Sequence, residues 1–287
     1  LATMTFQSTN NLKAGEFDEE VKSIGGLHNA STGFDFTHYF IKSSSENLPK
    51  SLSLFAELME NLNLKDDEFQ PERSVVAEER RWRTDNNPMG YLYFRLFNTA
   101  YVYHPYHWTP IGFMNDIQTW SLEDIRNFHE TYYQPSNAIL VVTGDIKPDT
   151  VFAEAEKHFA SIRNARTVPA VTTVEPEQDG ARRIEVHKES EVEMLALSFP
   201  IPDFRHVDQP RLSALSELLS SGKSSRLSRI LVDEKRLVNQ IYAYNMETID
   251  PGVFLFLAVC NNGVKAEEVE KEIWAIIRDL QSKPVDK

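Results

Sequence analysis

One cysteine, Cys260, in 287 residues excludes any disulfide within the chain. Its setting, GVFLFLAVCNN, is apolar, so it reads as a small buried hydrophobe rather than a nucleophile. No apolar run approaches the ~18 residues of a membrane-spanning helix. Cations are scarce: 30 Lys and Arg stand against 43 Asp and Glu, a net charge of −13. That balance excludes a generic binder of nucleic acid or of anionic membranes, because backbone phosphates need a positive face. It is compatible with cationic partners and with simple solubility. A P-loop, a G-x-S-x-G elbow, a G-x-G-x-x-G turn and a Cys–His arrangement are all missing. Neither H-E-x-x-H nor H-x-x-E-H occurs. From Leu1 the chain carries no signal-peptide pattern and reads as the middle of something longer, and both ends look truncated. Cytoplasm and periplasm both stay open.

Apolar matter, by contrast, is ample. A hydrophobic content of 41% with 17 Phe and 10 Tyr fills real cores and sets disorder aside. Residues 48–64 place Leu52, Leu54, Phe55, Leu58, Met59 and Leu62 on a helical stripe. Asp66 or Asp67 caps the next helix, which runs to about Thr84 and is stopped by DNNPMG. YLYFRLFNTAYVYH resumes a helical pattern. HPYHWTPIG is a Pro-rich loop whose His104 and His107 read as packing or hydrogen-bonding residues rather than metal ligands. Ser121 caps the helix that follows, with Asp124 at the box position. NAILVVTGDI reads as a buried strand, and residues 147–162 as the helix behind it.

Periodicity then fails in RNARTVPAVTTVEPEQDG and restarts afterwards. Strands are expected near 181–187, 191–199, 239–246 and 252–260, with helices near 207–220, 223–235 and 265–282. The organisation expected is therefore residues 1–164, a linker over 165–180, and a second domain over 181–287. ILVVTGDIKPDTVFAEAEKHFASI and FLAVCNNGVKAEEVEKEIWAII share one order of strand, polar turn and acidic helix start. That predicts an α+β protein of two homologous domains, each a mostly antiparallel sheet packed with helices.

PERSVVAEERRWRTDNNP, residues 71–88, is dense with charge yet carries Val75, Val76 and Trp82. Its Glu72 and Glu79 lie two helical turns apart on one face, about 10 Å along the axis. By pattern alone this is a solvated face of Glu–Arg pairs.

In order, FQSTNNLKAGEFDEEVKSIGGLHNASTGFDFTHYF, PERSVVAEERRWRTDNNP, HPYHWTPIG and YYQPSNAILVVTGDI, followed by the repeated second half, resemble the pitrilysin/insulinase zinc metallopeptidases, the inverted zincins. The likeness is to the short bacterial members related to mitochondrial processing peptidase. It implies one zinc per site, held by the two His of H-x-x-E-H and by a Glu from a later helix, with the motif Glu activating water. Glu79 matches the later ligand, and Glu72 the acid that accompanies it. Ala2 falls at the catalytic Glu and Thr3 at the second His, and the first His would precede Leu1. Val232 and Asn239 fall where active members present an Arg and a Tyr toward the substrate carbonyl. Tyr242 and Tyr244 lie nearby, and alternation is expected to put one in the core and one on the surface.

Asn29, Ala30, Ser31 and Thr32 match the strand whose edge pairs with peptide, or else an ordinary hairpin strand turning at Gly25-Gly26. The resemblance implies a zinc-dependent metalloendopeptidase acting on peptides or unfolded segments. Because Ala cannot activate water and Thr is a poor zinc ligand, it equally implies a catalytically silent partner or scaffold subunit, working as a homodimer or as a heterodimer with an active member. A structural subunit of a larger assembly is the third reading.

Overall fold

The computed structural model describes residues 1–285. Along the chain run α1 (Glu16–Ser23), β1 (Leu27–Thr32), β2 (Thr37–Lys42), α2 (Leu48–Glu60), α3 (Asp66–Arg80), α4 (Pro88–Ala100), α5 (Met114–Thr119), α6 (Leu122–Tyr132) and α7 (Pro148–Phe159). Then come β3 (Met194–Pro200), α8 (Gln209–Ser220), β4 (Val238–Asn245), β5 (Val253–Cys260) and α9 (Ala266–Ser282). Two π-helical segments, Arg81–Asp85 and Ser228–Glu234, interrupt the regular pattern. The elements gather into two compact units, residues 1–79 with 112–172, and residues 80–111 with 173 onward. This is the mixed α+β class with antiparallel sheets that the sequence predicts.

In the first unit β1 and β2 form an antiparallel hairpin. The stripe of α2 buries Leu54 and Leu58 against Phe17 and Val21 of α1. A second cluster joins Met4, Leu64, Phe69 and Ile125. The capping box of α6 is complete, Ser121 and Asp124 each satisfying the other's backbone N–H. The hairpin turns at Gly33, whose N–H donates to Phe36 O at 3.0 Å. Gly25 instead ends α1 in a left-handed conformation (φ 65°), so the expectation of a Gly25-Gly26 hairpin turn is wrong.

The expected buried strand in NAILVVTGDI is also overturned. Residues 138–143 are extended but pair with no other strand, and Ile139 is 92% exposed. Apolar side chains on successive residues mark a strand meant for cover on both faces. No described segment supplies that cover, and only the Ala138 N–H, which donates to Pro135 O at 3.2 Å, finds a backbone partner among the described residues.

The second unit is built on a three-stranded antiparallel sheet ordered β3-β5-β4. The central β5 is apolar at every position and almost wholly buried, as a strand covered on both faces requires. Its core gathers Leu219, Leu227, Leu231, Val269 and Ile273. Edge strand β4 alternates buried and exposed. Tyr242 and Tyr244 therefore share one face, and both are exposed. The core/surface split expected for them fails because residues two apart point the same way. Residues 181–187, expected as a strand, are unpaired, and the helix expected over 223–235 is π-helical from Ser228.

A strap fastens this unit across α4. The Glu175 carboxylate accepts the successive backbone N–H groups of Val102, Tyr103 and His104 at 2.7, 2.9 and 2.7 Å. Arg182 donates to the C-terminal carbonyls of α4, Thr99 O at 3.1 Å and Ala100 O at 2.9 Å. Below the strap, buried His104 accepts from Tyr106 N at Nδ1 (3.1 Å) and pairs through Nε2 with Asp250 (2.8 Å). The hydrogen-bonding role expected of His104 is thus met.

Burial by itself would raise the Glu175 pKa, but the three N–H donors and the charge of Arg182 outweigh it and hold the carboxyl below its usual range. A group depressed in the folded state contributes stability above its unfolded pKa and loses it as pH falls through the folded value. Glu175→Gln is accordingly expected to cost about 1–2 kcal/mol at pH 7. Thermal melts at pH 7 and pH 3 check this, and the difference between the proteins should shrink at the lower pH.

Candidate functional site

Residues 1–6 form a helical turn: Thr5 N donates to Leu1 O at 3.0 Å, and Met4–Phe6 continue as 3-10 helix. Ala2 and Thr3, the positions matched to the catalytic Glu and second His, lie in this turn. Leu1 and Met4 seat it on the Phe69–Ile125 cluster.

The next residues tie the turn to the helices below. Gln7 Nε2 donates to Glu72 Oε1 on α3 at 2.9 Å. Ser8 Oγ donates to Glu68 at 2.8 Å, and Thr9 Oγ1 to Glu57 of α2 at 2.5 Å. Asn11 adds bonds from its backbone and amide to the same Glu57, whose carboxyl is held below the usual range by these donors against the opposing effect of its burial. The Ala2–Thr3 turn and Glu72 are therefore held in one frame.

Glu79, two turns beyond Glu72 on α3, is half-buried, as Glu72 is. The helix leaves α geometry directly afterwards, at Arg81. π-helical turns inserted in α-helices are frequent at functional sites. On β1, Asn29–Thr32 are partly to fully exposed and pair with Thr37–Phe40 along one edge only. The Asn29 side chain caps the backbone N–H of Ala30 at 2.8 Å. In the second unit Val232 and Asn239 line one cleft, with Arg236 between them in sequence.

These residues do not make a zinc site. Among the described residues no three His, Cys, Asp or Glu side chains converge as a metal requires. A methyl group at residue 2 and a hydroxyl at residue 3 supply neither a base nor an imidazole. Among the described residues, then, the Gln7–Glu72 frame stands without a converging set of metal donors.

Sequence reasoning missed the Gln7–Glu72 tie, the two π turns and the strap of Glu175. Gln7 lies 65 residues from its partner, and no local pattern announces such a contact.

Residues 1–107 match the family model for insulinase, peptidase family M16, and residues 119–287 match that for the peptidase M16 inactive domain. The chain is 58% identical over 284 residues to the zinc protease PqqE of Helicobacter pylori, covering 98% of this chain and 64% of that protein. A solved structure of a protease from Helicobacter pylori superposes with a TM-score of 0.98 at 56% identity, over 100% of this chain and 70% of the other. A probable mitochondrial-processing peptidase subunit beta of Arabidopsis thaliana is 24% identical over 295 residues, covering 98% of this chain and 54% of that one. Among the described residues no helix is long and apolar enough to cross a membrane. The chain belongs to the M16, or insulinase, family of peptidases.

Proposed function

We propose that this chain is a peptide-binding member of the M16 family that does not itself hydrolyse its ligand, and that it serves as the silent partner of an active family member. One observation carries the reading. The turn bearing Ala2 and Thr3 keeps its frame, down to the hydrogen bond from Gln7 to Glu72, while its two chemistry-bearing positions hold a methyl and a hydroxyl. A carboxylate to accept a proton from water and an imidazole to hold a metal are what hydrolysis needs there.

Peptide binding needs neither. The open edge of β1 at Asn29–Thr32 offers backbone groups to an extended segment, a mode that tolerates many sequences. In this reading residues 1–164 are the peptidase-like half and residues 181–287 the second half. Glu72 and Glu79 are acids of a site whose metal chemistry has been lost, and Val232 and Asn239 mark the matching loss in the second half.

Elemental analysis of the protein as purified, without added metal, tests the proposal. Well under one zinc per chain is expected, with no cleavage of a quenched fluorescent peptide. About one zinc per chain, lost in Glu79→Gln, would overturn it in favour of the zinc-dependent metalloendopeptidase.

A further inference from the structure

An open cleft of about 550 Å³ lies in the second unit and is lined by Val232, Asp233, Arg236, Val238, Asn239 and Asn261. Its walls are the π-helical segment Ser228–Glu234 and the start of β4. Two backbone irregularities fall on this one cleft. Arg236 has φ 54°, the left-handed region that a residue with a Cβ adopts at a cost and that glycine adopts freely. It is fixed there by Asn261, whose side-chain amide donates to Arg236 O at 2.6 Å and whose N–H donates to Leu237 O at 2.9 Å. Three residues on, the β4–β5 register slips between Val238 and Gln240, so Asn239 is the extra residue of a bulge. Bulges re-aim side chains, and backbone strain of this kind is typical of binding sites.

Arg236 differs in charge pairing from the cations beside it in sequence. The neighbouring cations are engaged: Arg229 with Glu234 at 2.8 Å, Lys235 with Glu272 at 2.7 Å. Among the described residues the Arg236 guanidinium has no carboxylate partner, although the chain carries 43 acids. The Asn239 side chain likewise makes no hydrogen bond among the described residues.

We propose that this cleft binds the carboxylate of an extended peptide, with Arg236 forming the ion pair and the Asn239 amide the adjoining hydrogen bond. A guanidinium fork fits a carboxylate bidentately. Asp233 on the rim repels multiply charged anions such as phosphate and tolerates a single carboxylate whose chain continues into N–H groups. Val232, which is partly exposed, gives the apolar wall for a side chain beside it. The peptide as carrier rests on the peptide-binding reading above, whereas the preference for a carboxylate rests on Arg236 alone. The carboxylate comes either from a peptide C-terminus or from an Asp or Glu side chain.

Fluorescence anisotropy with three labelled penta-alanine probes separates these sources: the free acid, its C-terminal amide, and the amide carrying one central Glu. The free acid or the Glu probe is expected to bind about tenfold more tightly than the plain amide. Whichever exceeds it names the source. In Arg236→Gly that preference should vanish while the melting temperature is unchanged or higher, because the left-handed strain is relieved. Arg236→Lys should keep part of it. A preference that survives Arg236→Gly overturns the inference and leaves peptide binding intact. No binding of any probe at millimolar concentration removes the peptide-binding reading and this inference with it.

Discussion

Gly90→Ala is expected to cost about 3 kcal/mol or more, lowering the melting temperature by roughly 10 °C. A Cβ built on Gly90 would meet Arg83 O at 1.9 Å and Arg83 C at 3.0 Å. Neither atom is the far end of a flexible side chain. Arg83 belongs to the π-helical turn Arg81–Asp85, and Gly90 to the first turn of α4, where its N–H is capped by Asn87 Oδ1 at 3.0 Å. A clash between two backbone segments is relieved only by moving one whole turn, so the cost exceeds that of an ordinary overpacked core position. Circular-dichroism melts of wild type and Gly90→Ala check this. A shift of only 1–2 °C would mean that the turn re-forms easily and does not fix the end of α3.

The second large effect is expected at Arg80. Its side chain is 5% exposed, its Nε pairs with Asp85 at 3.1 Å, and its guanidinium stacks over the Phe94 ring at 4.1 Å. Arg80→Ala should destabilise by about 3 kcal/mol, since it removes a buried guanidinium from its ion pair with the half-buried Asp85 and leaves a void against Phe94. Arg80→Lys should recover only part, because an ammonium cannot both stack on the ring and reach Asp85 through a planar fork. Urea unfolding of the three proteins measures both values, and added salt should weaken only the ion-pair part, through the partly exposed Asp85, and leave the packing against Phe94 unchanged. Equal stability of Arg80→Lys and wild type would reduce the role of Arg80 to bare charge. Glu79, the matched zinc ligand, immediately precedes Arg80. The same substitution therefore tests whether the acid face of α3 depends on the turn that ends it.

Both effects lie in a stretch whose composition announces charge and little else. From PERSVVAEERRWRTDNNP the helix and the shared face of Glu72 and Glu79 follow directly, because a period of 3.6 residues is a local property. That Arg80 is buried while Trp82 is 74% exposed does not follow, since it depends on what packs above each residue.

The same boundary runs through the rest of the molecule. The stripe of α2, the capping box of α6 and the apolar run of β5 were determined by sequence, each being set within a few residues by side-chain spacing or by a backbone donor close at hand. So were the methyl of Ala2 and the hydroxyl of Thr3 on which the proposed silent role rests, since they need only the identity of two side chains. Tertiary structure alone decided that residues 138–143 stay unpaired, that Gln7 reaches Glu72, that Glu175 clasps three amides of the 102–104 loop, and that a left-handed Arg236 and a bulged Asn239 face one cleft. Strand pairing, carboxylate clasps and clefts join groups tens of residues apart, and their energies depend on distances that no local pattern encodes.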